Sequence, residues 1–159
     1  MQKTITNQIY IERTPEQVMD FLLRPENWLK FASGLVDAEP KGETLKKGTV
    51  GSWTRKQGPK LTINNFKVIE MDYGKKLVMQ ISADGMTAND QSVFEPATNG
   101  TKATFTETLT AHTFFTKLFL TLFLGLIKKS LRADYTNLKK IVELTLDDLY
   151  KWTRRSTCL

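Results

Sequence analysis

The sequence predicts a single α+β domain: an antiparallel sheet of about seven strands, two short helices and a long C-terminal helix. Residues 3–12 and 35–111 alternate apolar and polar side chains as strands do, whereas residues 114–150 carry apolar side chains at helical spacing. Turns marked by glycine or proline divide the middle segment, which favours antiparallel neighbours. A length of 159 residues suits one domain, so we assign 1–159 to it, with 146–159 as a C-terminal extension.

Local signals define the N-terminal elements. The alternation in residues 3–12 predicts the first strand. Thr14-Pro15-Glu16-Gln17 combines an N-cap threonine, a proline at the first helical position and a glutamine three residues after the cap, which form a capping box. Arg24-Pro25 ends this helix, because the residue before a proline avoids helical backbone angles. We expect a second short helix from Pro25 that turns Trp28 and Phe31 inward.

Six further strands are predicted between the turns of the middle segment. Asp84-Gly85 is the most specific of these turns, because both residues tolerate the positive φ of a two-residue hairpin. Successive hairpins place strands that follow each other in the sequence side by side in the sheet. The expected strands lie near residues 35–39, 49–57, 60–71, 76–83, 86–96 and 101–111.

The first half of the C-terminal helix is predicted to be apolar nearly all round. We expect one face to cover the sheet, and it consists of Phe115, Leu118, Phe119, Leu122 and Leu126. The opposite face consists of Leu120, Phe123, Leu124 and Ile127, followed by Lys128 and Lys129. An exposed apolar patch usually marks an interface, so we predict self-association or membrane-surface contact there, and favour the former. Alternatively, the short helices and the extension, through Leu149 and Trp152, cover this face.

Composition and charge argue against several classes of function. The net charge is +6, but the basic residues are scattered and form no motif of a nucleic-acid module, so no nucleic-acid partner is predicted. Cys158 is the only cysteine, which excludes a disulfide framework. His112 is the only histidine; its junction position favours a capping or surface role, and we predict neither metal nor cofactor. Without a signal-like segment or an apolar run of ~20 residues, a cytoplasmic protein is expected.

Several short motifs share their order and spacing with one known group of proteins. These motifs are Thr14-Pro15-Glu16-Gln17-Val18, Pro25-Glu26-Asn27-Trp28, Val68-Ile69-Glu70 followed by Lys76-Leu77, Phe94-Glu95-Pro96 before Asn99-Gly100-Thr101, and Asn137-Leu138-Lys139 with Glu143. The pattern resembles the helix-grip superfamily (SRPBCC type), which includes START lipid-transfer domains, birch-pollen-allergen-like proteins and polyketide cyclase/dehydrase-like proteins. The resemblance implies a curved sheet that grips the last helix around an internal cavity. In this superfamily the cavity holds lipids, steroids, polyketides or other apolar molecules.

The family pattern, continued at period two along the strands, identifies candidate ligand-binding residues. A charge in an apolar cavity is costly unless it is paired, so we expect Arg55 to pair with Glu107 or Asp90. The polar candidates either orient the polar head of a ligand or satisfy one another. The candidates are Trp53, Arg55, Asn64, Phe66, Met79, Met86, Asp90, Ser92, Phe105 and Glu107 from the strands, with Phe115, Phe119 and Leu122 from the helix.

Three functions fit these predictions. We favour a module that binds a small apolar or amphipathic molecule. The second is a polyketide cyclase/dehydratase-type enzyme in which Glu107, the best catalytic candidate, or Asp90 acts as general acid or base, with a pKa raised by burial. The third is a membrane-surface or protein-interaction module. The sequence does not identify the ligand or a reaction.

Overall fold

A computed structural model describes the backbone of residues 1–156 and the side chains of residues 1–144. The predicted covering role of Leu149 and Trp152, and any role of Cys158, lie outside the described side chains. The elements are β1 (Gln2–Ile11), α1 (Pro15–Leu22), a 3₁₀ helix (Pro25–Lys30), β2 (Leu35–Glu39), β3 (Val50–Gln57), β4 (Lys60–Asp72), β5 (Lys76–Ala83), β6 (Met86–Ala97), β7 (Gly100–Ala111) and α2 (Phe114–Ser156).

The seven strands form one antiparallel, curved sheet in the order β1-β7-β6-β5-β4-β3-β2. Strands β2 to β7 follow one another as hairpins, and β1 joins the far side by pairing with β7. Register shifts between Leu35 and Asp37 and between Val68 and Glu70 mark irregular pairing, of the kind that bends a strand. The predicted α+β class, with its antiparallel sheet and long C-terminal helix, is confirmed.

The predicted capping box is present at the start of α1. The backbone N–H of Gln17 donates to Thr14 Oγ1 at 3.2 Å, and the backbone N–H of Thr14 donates to Gln17 Oε1 at 3.0 Å. Both bonds satisfy N–H groups that the helix itself leaves unpaired. The cap therefore fixes where the chain turns from β1 into α1.

The 3₁₀ helix places an indole ring against the sheet. Trp28 is buried, and its Nε1 donates to the carbonyl oxygen of Leu22 at 2.8 Å. Its ring lies 5.8 Å from that of Trp53 and 5.3 Å from that of Phe66, both in edge-to-face geometry. Gly51 makes room for this cluster, because a Cβ there would lie 2.4 Å from the Phe66 ring.

The second half of α2 is anchored to the sheet and to the loop after the 3₁₀ helix. Leu138 and Val142 are fully buried. Asp134 is also buried, and its Oδ1 accepts hydrogen bonds from the backbone N–H of Ser33 at 3.0 Å and from Ser33 Oγ at 2.5 Å. These contacts set the rotation of α2 about its axis.

The structure corrects the predicted rotation of the first half of α2. Leu120, which we expected on the outer face, is fully buried, and Leu124 and Ile127 are half-buried. Phe115 and Leu122, which we expected to cover the sheet, are 80% and 67% exposed. Because this half is apolar on every side, periodicity alone did not define its buried face.

The buried face of α2 continues along the helix from its anchored half. Intervals of seven, four, three and four residues toward the N-terminus lead from Leu138 through Leu131, Ile127 and Leu124 to Leu120, so all five lie on one side of the helix. Within the part of the chain that the structure describes, no helix has both the length and the hydropathy needed to cross a bilayer.

Candidate functional site

A pocket of about 160 Å³ lies between the sheet, the 3₁₀ helix and α2; we call it the inner pocket. Most of its lining is apolar, but a few charged and hydroxyl side chains project into it. It is lined by Leu22, Trp28, Phe31, Ala32, Leu35, Trp53, Arg55, Leu77, Met79, Ile81, Asp90, Ser92, Phe105, Glu107, Leu131, Asp134 and Tyr135.

A larger groove of about 550 Å³ adjoins the inner pocket, and we call it the outer groove. One wall comes from α2, through Phe119, Phe123, Leu126 and Ile127, and the other from strands β3 to β7. The two hollows meet at five shared residues: Trp53, Arg55, Ile81, Glu107 and Leu131. An elongated molecule can therefore occupy both, passing Arg55 and Glu107.

Most of the predicted site residues line one of these hollows. The inner pocket includes Trp53, Arg55, Met79, Asp90, Ser92, Phe105 and Glu107, and the outer groove adds Asn64, Met86 and Phe119. Three predicted residues line neither hollow: Phe66 packs in the aromatic cluster, while Phe115 and Leu122 face solvent. Ligand contact by any of these residues stays a prediction.

Two carboxyl groups stand opposite each other in the inner pocket. Asp90 of β6 and Glu107 of β7 are directly paired across the antiparallel ladder, so both side chains project from the same face. Asp90 Oδ1 is shielded from solvent and has no hydrogen-bond partner among the described residues. Two ionised carboxylates at opposed positions repel each other, which favours a proton on one of them.

Burial changes the proton affinity of this pair. Burial, and secondly the neighbouring Glu107 carboxylate, raise the pKa of Asp90 well above its ordinary value. Burial also raises the pKa of Glu107, although a hydrogen bond from Tyr135 and the nearby Arg55 guanidinium act in the opposite direction. Tyr135 Oη donates to Glu107 Oε1 at 2.7 Å, and burial followed by the charges of Asp90 and Glu107 raises the pKa of Tyr135.

Arg55 does not form the predicted salt bridge. Among the described residues its guanidinium makes no ion pair with Asp90 or Glu107. Burial raises the pKa of Glu107, and the charge of Arg55 only partly opposes this rise. Arg55 is half-buried on β3, whereas the two carboxyls lie on β6 and β7, with β4 and β5 between. The separation between these strands leaves space at the junction of pocket and groove, so the guanidinium N–H groups are available to another acceptor.

Two residues that bring a hydroxyl or carboxyl group to the inner pocket were absent from the predicted site residues. Tyr135 stacks on Phe105, with ring centroids 4.1 Å apart, and hydrogen-bonds Glu107. Asp134 precedes it and fixes the helix through Ser33. An acidic residue next to the apolar stripe of a helix is the sequence signal that identifies this position, because a buried carboxylate requires partners.

We expect the stability of the wild type to decrease as the pH rises, and Asp90→Asn to make this decrease smaller. The pKa of Asp90 is raised in the folded state above its ordinary 3.8, so at intermediate pH the folded protein holds a proton that the unfolded chain has released. Wild-type stability therefore decreases as the pH rises from the ordinary pKa through the raised one. Asparagine does not titrate, so the variant lacks the part of this decrease that comes from Asp90 and keeps the part that comes from Glu107, whose pKa burial also raises.

Melting temperatures at about pH 5 and about pH 9 measure this difference. Relief of one like-charge contact of ~1 kcal/mol corresponds to roughly 2–4 °C at the higher pH. The exposed carboxyl of Glu43 provides the control, because Glu43→Gln removes a charge without changing the pocket. Parallel pH profiles of wild type and Asp90→Asn would contradict the assignment.

The chemistry available at this site is hydrogen bonding and proton exchange. Arg55 supplies donors only, while Asp90 and Glu107 accept hydrogen bonds or, when protonated, donate one. In the described part of the chain, no group of three or more His, Cys, Asp or Glu side chains is arranged to hold a metal ion. The site can therefore orient an oxygen-bearing molecule or exchange a proton with it.

Solved structures from several sources share this fold. The protein TTHA0849 from Thermus thermophilus superposes with a TM-score of 0.72 at 17% identity, over 90% of this chain and 99% of that chain. The Zhui aromatase/cyclase from Streptomyces sp. R1128 gives 0.75 at 8% identity, over 90% and 94%. Ara h 8.0201 gives 0.67 at 14% identity, over 89% and 98%. At such identities these likenesses show the fold alone.

Comparison at the sequence level gives the family. None of the curated protein sequences compared with this chain is significantly similar to it. The sequence model of the family described as polyketide cyclase / dehydrase and lipid transport matches residues 2–143, which span β1 to the anchored half of α2. The helix-grip resemblance predicted from short motifs is thereby confirmed, and the chain belongs to the polyketide cyclase / dehydrase and lipid transport family.

Proposed function

We propose that this protein binds a small amphipathic molecule, with the polar group of the molecule between Arg55 and the carboxyl pair and its apolar part along the outer groove. The observation that carries this proposal is Asp90 Oδ1, a shielded acceptor without a hydrogen-bond partner among the described residues. Buried polar atoms are rarely left unpaired in folded proteins, so a ligand donor is a natural partner. Family membership supports the same class of function. We assign this function to the cytoplasm, as predicted from the sequence.

The side chains at the junction define the chemistry of the ligand. Arg55 requires an acceptor, such as a carbonyl or carboxylate oxygen. The Asp90 carboxyl can accept from a hydroxyl or N–H group and, when protonated, can also donate to an oxygen. The surrounding surface is provided by Trp53, Ile81 and Leu131, which favour an apolar body. A hydrophobic molecule with a carbonyl or carboxylate near a hydroxyl matches this arrangement. Lipids and polyketides include such molecules.

Native mass spectrometry of the protein after incubation with a lipid extract tests this proposal. We expect one-to-one adducts that survive gentle desorption. Ala88 lines the outer groove and is half-buried, so Ala88→Trp fills the groove and should remove the adducts. Circular dichroism checks that this variant still folds. Adducts that persist in a folded Ala88→Trp variant would place the ligand elsewhere, and no adduct from any extract would contradict ligand binding.

We expect Glu107→Gln to weaken ligand binding more than it harms folding. Glutamine keeps the shape of the side chain, and its Oε1 can still accept the hydrogen bond from Tyr135 Oη. The loss of the charge removes a charge-assisted interaction with the polar group of the ligand, worth about 1.5 kcal/mol or roughly tenfold in Kd. Titration of the adduct-forming molecule gives the Kd, and thermal melting gives the stability. A large fall in melting temperature with unchanged Kd would show a purely structural role.

A cyclase/dehydratase-type reaction is the second candidate. The specific observation in its favour is the opposed pair Asp90 and Glu107, whose pKa values are raised toward the range in which a carboxyl exchanges protons efficiently. The Zhui protein, named an aromatase/cyclase, shares the fold. In this reaction one carboxylate would remove a proton from a carbon between two carbonyl groups, and the enolate would attack a further carbonyl of the same molecule. A carbon–carbon bond would form as that carbonyl oxygen takes a proton and becomes a hydroxyl. Loss of a second proton from the attacking carbon, with protonation of the hydroxyl by a carboxylic acid, would then release water and leave a carbon–carbon double bond.

A pH–rate profile with a linear poly-β-ketone analogue separates the two candidates. An enzyme should release a cyclised, dehydrated product at a rate that depends on the ionisation of the pair. Asp90→Asn and Glu107→Gln should then lose turnover while retaining the fold. Recovery of the bound analogue unchanged at every pH would favour ligand binding alone.

A further inference from the structure

Five large apolar side chains form an exposed stripe along the first half of α2, which we call the outer stripe. Spacings of one, three and four residues place them on one side of the helix. It comprises Phe114, Phe115, Leu118, Leu122 and Leu126, which are 73%, 80%, 46%, 67% and 62% exposed. Contiguous apolar surface of this kind usually marks a contact site.

The described part of the chain does not cover the outer stripe. The helix is held to the sheet by its opposite face, through Leu120 and Ile127. Beyond Leu126 the chain continues as helix to Ser156, and thirty residues at about 1.5 Å each carry it roughly 45 Å away. The stripe is therefore directed toward solvent or toward another partner.

The segment of the chain that carries the outer stripe, residues 108–133, has positively charged side chains but no negatively charged ones. No Asp or Glu occurs between Glu107 and Asp134. The same segment carries the exposed cations Lys117, Lys128, Lys129 and Arg132. A symmetric contact between two copies of this face would bring these cations together, which opposes self-association. An anionic surface would instead be attracted to them.

We propose that the outer stripe docks on a bilayer that contains anionic phospholipids. Apolar side chains on one side of a helix, with lysines beside them, suit insertion at the level of the lipid headgroups. This reverses our preference from the sequence for self-association, because the structure exposes a different face, on a segment whose charged side chains are all cations. The proposal goes beyond ligand binding, since docking does not require an occupied pocket.

The outer groove lies next to the outer stripe, so docking on a bilayer would bring the groove close to lipid. Phe119 and Phe123 line the groove on the side of α2 next to the stripe, and their rings are 4.9 Å apart. The opposite wall includes Gln57 of β3, whose neighbour Lys56 is an exposed cation. Docking through the stripe would bring the edge of the groove to the bilayer, so an amphipathic molecule could pass between lipid and groove.

Vesicle co-sedimentation tests this proposal with Leu122→Glu, which changes an exposed side chain that lines neither hollow. We expect the wild type to bind vesicles of phosphatidylglycerol and phosphatidylcholine, more weakly at high salt, and to bind pure phosphatidylcholine poorly. Leu122→Glu should lower the affinity roughly tenfold or more. Leu144→Glu is the matched control: the same change, at a 58% exposed position on the same helix. It should bind as the wild type does.

Three results would overturn the proposal. Wild-type binding to neutral vesicles equal to that to anionic ones would remove the role of charge. Unchanged vesicle binding by a folded Leu122→Glu variant, or by Phe115→Glu if the first variant does not fold, would remove the role of the stripe. The third result is a wild type that does not bind vesicles but forms a dimer, together with a Leu122→Glu variant that is a monomer. This result would assign the stripe to self-association.

A neutral fluorescent probe, N-phenyl-1-naphthylamine, separates this proposal from ligand binding. Because Leu122 lies outside both hollows, a folded Leu122→Glu variant should bind the probe with wild-type affinity. Loss of vesicle binding with retained probe binding supports the docking surface. A wild type that binds vesicles but does not bind the probe would count against ligand binding in the pocket, while docking on the bilayer would remain supported.

Discussion

Trp28→Ala is expected to lower the free energy of unfolding by about 3–5 kcal/mol, the range for truncating a large buried aromatic side chain. Trp28 is buried, and the centroid of its ring lies 5.8 Å from that of Trp53 and 5.3 Å from that of Phe66. The truncation also removes the only described hydrogen bond from its Nε1, to the carbonyl oxygen of Leu22. Urea denaturation followed by circular dichroism gives the free energy of unfolding.

Two further variants define the source of this loss. Trp28→Phe keeps an aromatic ring in the cluster but loses the hydrogen bond to Leu22. It should therefore lower the free energy of unfolding less than Trp28→Ala does, with about 1 kcal/mol of the loss coming from that bond. Leu29→Ala changes the adjacent, 37% exposed side chain and should be close to neutral. A loss below about 1 kcal/mol for Trp28→Ala would show that the cluster does not anchor the 3₁₀ helix.

Arg55→Ala is expected to weaken binding of the anionic probe 8-anilinonaphthalene-1-sulfonate by about 10- to 100-fold. The guanidinium is half-buried, lines both hollows and forms no ion pair among the described residues, so it is available to an anionic group. A hydrogen bond to a charged group contributes about 1.5–3 kcal/mol, which corresponds to this range of Kd. Fluorescence titration gives the Kd of the wild type and the variant.

The neutral N-phenyl-1-naphthylamine is the matched probe, because it has a similar aromatic body without the sulfonate. Its affinity should change little in Arg55→Ala, since only apolar contacts hold it. Arg55→Lys keeps the charge but loses the planar set of donors, so it should fall between wild type and alanine with the anionic probe. Equal losses for both probes would mean that Arg55 shapes the hollow instead of recognising charge.

Most strand boundaries could be predicted because they depend on local signals. The predicted strands 35–39 and 76–83 coincide with β2 and β5. The others differ by one residue, at both ends for β1 and at one end for the rest. Asp84-Gly85 forms its hairpin with Gly85 at a φ of 70°, a conformation set by two adjacent residues. The capping box at Thr14 is equally local, as both of its hydrogen bonds span three residues.

The face of the sheet on which the polar site residues lie could also be predicted. The family resemblance implies which face of the sheet lines the cavity, and a side-chain period of two continues that face along each strand, so Arg55, Asp90 and Glu107 are predicted to share it. The strand pairing then placed Asp90 opposite Glu107. Tyr135 was missed because its hydrogen bond to Glu107 joins residues of a strand and a distant helix, which no local pattern reports.

Interactions between near neighbours in the chain therefore set the boundaries of the elements and the alternation of faces along each strand, which is why the amino-acid pattern predicts both. The rotation of α2 depends instead on tertiary contacts, since the buried side chains of Asp134 and Leu138 fix it and thereby turn Leu120 inward and Leu122 outward. Tertiary structure also keeps Arg55 apart from the carboxyl pair, because strands separated in the sheet hold the charges at a distance. Both outcomes join residues far apart in the chain, and both shape the surfaces from which function is proposed.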